Sequence, residues 1–145
     1  MPNHVDDEYV YLNPHKKGTD HIYDGDWDLE DLREDVDRAE FATHLDVVNM
    51  ITSPQRYFFN DGFLHECFEK LHGTICSCHL KDVRLKDEYT FQLEECACGS
   101  GSLDLELYAR LADAENPSMP MIIEHLDTDA EYAASVKYVR TRLGL

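Results

Sequence analysis

Asp46, His79 and Glu124 each follow a short apolar run, in "FATHLD", "TICSCH" and "MIIE", and each carries a side chain that can ligate a metal. Side chains alternate faces along an extended strand, so residues two apart point the same way. That places Ala42, His44 and Asp46 on one side of "EFATHLD" and sets Ile75, Ser77 and His79 against Cys76, Cys78 and Leu80 in "TICSCHL". In "MIIEHL" it groups Ile122 with Glu124, and Ile123 with an outward-facing His125. If the three segments are neighbouring parallel strands, they bring a carboxylate, an imidazole and a second carboxylate to one rim. Active sites of parallel α/β folds gather at that rim, where loops open toward the following helices. The donor set suits Mn²⁺ or Mg²⁺ first, and also accommodates Zn²⁺ or Co²⁺.

The competing chemistry is sulfur. Cys76, Cys78, Cys96 and Cys98 stand as two Cys-x-Cys pairs, and four thiolates can hold zinc in a tetrahedron. On a regular strand, however, such a pair separates its sulfurs by about 6.6 Å, two residue rises. One tetrahedral ion with bonds of about 2.3 Å does not span that. Buried thiols acting as small apolar residues are the expected role, most firmly for Cys76 and Cys78. Five cysteines is an odd number, which argues against a disulfide framework and for reduced thiols.

The elements that would position these groups alternate in type. "DLEDLREDVDR" places Leu29, Leu32 and Val36 at helical spacing behind Asp28, and "DGFLHECFEKLHG" sets Phe63, Leu64, Cys67, Phe68 and Leu71 on one stripe ending at Gly73. "LDLELYARLADA" repeats the pattern through Leu103, Leu107, Tyr108 and Leu111. A final helix opens with the capping-box pattern Thr128 to Glu131 and stops at Gly144. Strands are expected at "EFATHLD", "TICSCHL", "FQLEECA" and "MIIEHL". Helices between strands favour parallel pairing, because a parallel return needs a long crossover. The expected class is therefore α/β with about four parallel strands. Residues 25–145 are expected to form the folded unit, and 1–24, rich in Asp, His and Tyr, a poorly defined extension.

Composition bounds the partners. A formal charge of −17, spread along the chain, opposes the phosphate backbone, so nucleic acid is not an expected partner. The 17 aspartates against 6 lysines fit a strongly hydrated, salt-tolerant surface and equally an ordinary acidic cytoplasmic protein. No apolar run approaches the roughly 18 residues of a membrane span, and the first residues lack a secretory pattern. A cytoplasmic location is expected.

"HLDVVNMITSPQRYFFN", "CHLKDV", "EECACGSGSLD" and "MIIEHL", in this order, resemble the C-terminal half of the sugar phosphate isomerase/epimerase family, xylose isomerase-like TIM barrels related to endonuclease IV. The resemblance covers residues 28 to 143 and implies a half-barrel, since a full barrel has eight strands and usually about 250 residues. It implies that Asp46, His79 and Glu124 bind a divalent metal and that Glu124 also acts as catalytic base. The implied reaction is isomerisation or epimerisation of a sugar or sugar phosphate through an enediolate. With the first half of the barrel missing, little or no turnover is expected from an isolated monomer. The alternative is a non-catalytic half-barrel that assembles with itself or another chain. Phosphodiester hydrolysis as in endonuclease IV fits less well, because it needs more histidine ligands.

Around this core, Asn49 is a candidate substrate contact or a turn cap. Lys81 and Asp82 either meet sugar oxygens, order the site or form a salt-bridged loop. Arg84 offers positive charge for a phosphate. His44 is expected to lie inward beside Asp46 and orient the site. Gly99, Ser100 and Gly101 precede a helix and form either an anion cradle or a tight turn.

Overall fold

The computed structural model describes residues 42–144. The extension over 1–24 and the helix expected over 28–38 lie outside the described residues. Three strands, β1 (Thr43–Leu45), β2 (Ile75–Leu80) and β5 (Met121–Ile123), form a parallel sheet in the order β1-β2-β5. Leu45 is in register with Cys78, and Cys78 with Met121. Parallel neighbours need long returns, and the chain supplies helices for them. Between β1 and β2 run a short 3₁₀ turn (Val48–Met50), α1 (Pro54–Phe58) and α2 (Asn60–Lys70). Between β2 and β5 lie a hairpin and α3 (Leu105–Glu115).

One face of the sheet is apolar and covered. Leu45, Cys78 and Leu80 are each at most 1% exposed and share a core with Leu64 and Cys67 of α2, with Leu71 at its C-terminal end, and with Leu105, Tyr108 and Ala112 of α3. The opposite face carries His44, Ser77, His79 and Ile122, all partly or fully exposed. From Ser77 onward the alternation expected along β2 is thus the division between packing and chemistry, whereas at its start Ile75 is buried and Cys76 exposed.

Helix ends follow local chemistry. Thr128 and Glu131 make the expected reciprocal cap at the start of α4 (Asp129–Tyr138), which continues as a π-turn to Leu143 before Gly144 turns left-handed at φ 72°. The Asp104 side chain accepts from the Leu107 amide at 2.9 Å and starts α3. Its buried stripe is Leu105, Tyr108, Ala109 and Ala112, so Leu107 and Leu111 only flank the core. The short α1 escaped the periodicity argument, although Ser53 as cap and Pro54 in the first turn are its signature.

One expected strand takes a different partner. Leu93–Cys96 (β4) does not join the parallel sheet but pairs antiparallel with Asp82–Leu85 (β3). The connection, residues 86–92, is shorter than the dozen or so residues a parallel crossover requires, so a hairpin is the accessible solution. Among the described residues the parallel sheet therefore has three strands rather than four, and no closed barrel is present. No helix among them is long and apolar enough to cross a membrane.

Candidate metal centre

The sheet register brings the three rim residues together. Asp46 immediately follows β1, Glu124 immediately follows β5, and His79 is the penultimate residue of β2, paired with Ile122. His79 Nδ1 lies 3.0 Å from Asp46 Oδ2 and 2.6 Å from Glu124 Oε1. One ligand atom from each residue falls within 4.8 Å of the others. Adjacent ligands of a small ion with bonds of about 2.1 Å sit about 3 Å apart, so these donors fit one divalent cation. They are the only such group of histidine, cysteine and carboxylate side chains among the described residues.

His44 is exposed rather than inward, yet it touches the centre. Its ring meets that of His79 edge-on, with centroids 4.0 Å apart, and its Nδ1 contacts Ser77 Oγ. The pair props His79 from the open side of the sheet.

Lys81 occupies the middle of the cluster. It is 1% exposed, and its Nζ reaches Asp46 Oδ2 at 2.9 Å, Glu95 Oε1 at 2.9 Å, Glu124 Oε1 at 3.2 Å and Asn49 Oδ1 at 3.0 Å. Asn49 also donates its backbone N–H to Asp46 Oδ1 at 3.3 Å, so it holds both partners. Burial on its own pushes the Asp46 carboxyl up, but hydrogen bonds from His79 and Lys81, with the lysine charge, hold it below the ordinary carboxylate value. For Lys81, burial works downward and is outweighed by Glu95 and Asp46, which keep the ammonium above its ordinary value.

Two participants were not anticipated. Glu95, on β4, faces Lys81, and its Oε2 lies 2.9 Å from His125 Nδ1. His125 was expected to point outward by strand alternation. The strand ends at Ile123, and His125 takes a left-handed φ of 56°, uncommon for a residue with a side chain, which turns its ring back to Glu95 and toward Glu124. Only the hairpin register, Val83 opposite Glu95, could have revealed this grouping.

The Asp82 and Arg84 side chains find their partners away from Asp46, His79 and Glu124. Asp82 is 1% exposed, and its carboxylate accepts from four backbone amides, those of Val83, Gly99, Gly101 and Leu103, at 2.8 to 3.0 Å. The glycine loop is thus an anion cradle and a tight turn at once, and the anion is the protein's own. Arg84 lies exposed on the hairpin, paired with Glu94 at 2.6 Å.

The cysteines are all free, and among the described residues none belongs to a group with its ligand atoms close enough to share an ion. Cys78, Cys96 and Cys98 are buried as expected, and burial pushes the Cys78 and Cys96 thiols up to about 11. Cys76, expected to pack, is exposed, because the core ends at Cys78 on that face of β2. In the native protein Cys76 should react first and fastest with an aromatic disulfide reagent, with Cys67, Cys78, Cys96 and Cys98 reacting only on unfolding; fast labelling of Cys78 instead would contradict this burial pattern.

No known protein family matches the chain, and no curated protein does.

Proposed function

We propose that this protein is a divalent-metal-dependent isomerase or epimerase of sugars or sugar phosphates, built on part of a xylose isomerase-like barrel. The observation that carries this reading is the convergence of Asp46, His79 and Glu124 at the C-terminal rim of three adjacent parallel strands. The order of the motifs along the chain adds the family resemblance.

A divalent ion held by these three residues, Mn²⁺ or Mg²⁺ first, would polarise a substrate carbonyl and its neighbouring hydroxyl. Glu124 turns Oε1 to His79 and Lys81, and its Oε2, 3.8 Å from His125 Nε2, would take the proton from the carbon beside the carbonyl. Glu124, once protonated, would return that proton to the neighbouring carbon, and Lys81 joins it to a second carboxylate, Glu95. His125, against Glu95 Oε2, orients that carboxylate. Asn49 and Lys81 hold Asp46 in place, and the exposed Asn49 borders the space where sugar oxygens would lie.

The test joins binding with chemistry. Calorimetric titration with Mn²⁺ should give one site per chain, and a panel of ketoses and aldoses, free and phosphorylated, should exchange a carbon-bound hydrogen with deuterated solvent only when Mn²⁺ is present. A protein that binds none of Mn²⁺, Mg²⁺, Zn²⁺ or Co²⁺ ends this reading.

A second reading is favoured by the sheet itself. Its open face carries Ile122 at 47% exposure, and a lone three-stranded parallel sheet leaves both edges unpaired among the described residues. A half-barrel that pairs with a second copy would cover both. Light scattering should then give twice the 16.8 kDa chain mass, and a monomer at micromolar concentration would rule out the self-assembled barrel.

A further inference from the structure

We propose that Lys81 is a displaceable internal counter-ion of the metal centre: its ammonium holds the same carboxylate oxygens that a divalent cation needs, and cation entry moves it onto Asn49 and Glu95. The inference rests on the metal reading above and adds which group the cation must compete with.

The atoms coincide. Lys81 Nζ lies 2.9 Å from Asp46 Oδ2 and 3.2 Å from Glu124 Oε1, and these are the two oxygens that His79 Nδ1 meets. A cation among the three ligands therefore meets an ammonium already bound to two of them. At 1% exposure the ammonium cannot turn its protons to water, so it must keep protein acceptors wherever it goes. Two are in place: Asn49 Oδ1 at 3.0 Å and Glu95 Oε1 at 2.9 Å, neither of them in the ligand triad. Lys81 can release the triad without losing all of its partners.

The charges agree with a two-state centre. Asp46, Glu124 and Glu95 carry three negative charges against the one positive charge of Lys81, a balance of −2. A divalent cation brings that to zero, provided the ammonium moves off the two oxygens it shares. Lys81 thus offsets the repulsion among the three carboxylates of the empty centre and sets a threshold for filling it.

The experiment is Mn²⁺ titration by calorimetry of the full chain and of Lys81→Met, which keeps the buried stem and removes the charge. Lys81→Met should bind Mn²⁺ at least tenfold more tightly than the wild type. Equal or weaker binding by the variant overturns the counter-ion role while leaving the metal reading intact; absence of binding by both proteins overturns the two together. Because removing a buried charge can impair folding, the wild type provides a second measurement. In protein labelled with ¹³C at lysine Cε, saturating Mg²⁺ should shift the Lys81 resonance and leave that of the exposed Lys137 in place. A Lys81 signal that does not move at saturation also overturns the proposal.

Discussion

Asp82→Ala should lower the unfolding free energy by about 3 kcal/mol or more, a large fraction of the 5–15 kcal/mol typical of a domain. The carboxylate binds Val83 and Leu103 amides through Oδ1 and Gly99 and Gly101 amides through Oδ2, and it is almost wholly buried. Alanine would strand these donors away from water, and each orphaned buried group costs about 1–3 kcal/mol. Nothing else can fill the place easily, because the loop is drawn tight around it: a Cβ at Gly101 would come 2.3 Å from Asp82 Oδ1 and 2.4 Å from the Val83 carbonyl. Asp82→Asn keeps an acceptor but turns an NH₂ toward N–H groups, so it should recover only part of the loss. Urea unfolding measures both variants. A substrate-contact role for Asp82 makes the opposite forecast, with stability unchanged and turnover lost. A loss below about 1 kcal/mol would therefore return Asp82 to the list of substrate candidates.

His79→Ala is the second large effect, read in affinity rather than stability. Loss of an outer partner of a metal ligand typically weakens binding about 10–100-fold, and loss of the ligand itself should exceed that. His79 is the element shared by both carboxylate contacts, so its removal leaves Asp46 and Glu124 with only Lys81 between them. Mn²⁺ affinity should fall at least about 100-fold, whereas His44→Ala, which removes only the edge-on support, should lower it about tenfold or less. Unchanged Mn²⁺ affinity in His79→Ala would place the ion outside this rim.

The triad was legible in the sequence because its logic is local. Strand alternation has a period of two, and it correctly grouped His44 with Asp46, Ser77 with His79 and Ile122 with Glu124 before any pairing was known. The capping box at Thr128 and the stripe of α2 were equally local. What escaped depends on distant partners. That Leu93–Cys96 folds back on Asp82–Leu85 is decided by a short connection without a diagnostic turn dipeptide, and Glu95 reaches the centre only through that hairpin. His125 comes round through one left-handed backbone step, which the residue type does not announce. The burial of Lys81 and Asp82 was hidden for another reason. Charged residues are buried only when paired, and their partners lie up to 44 residues away in the chain.

Lys81 and Asp82 are adjacent, both 1% exposed, and they serve different clients: one reaches the carboxylates of the rim, the other the amides of the glycine turn. A single peptide unit therefore anchors the cationic arm, clamped from behind by the turn that Asp82 gathers. With its base held in this way, the arm would respond to an arriving ion by rotating its own methylene torsions. Any gating at this rim would thus be as fast as a rotamer change, with no loop or strand required to travel.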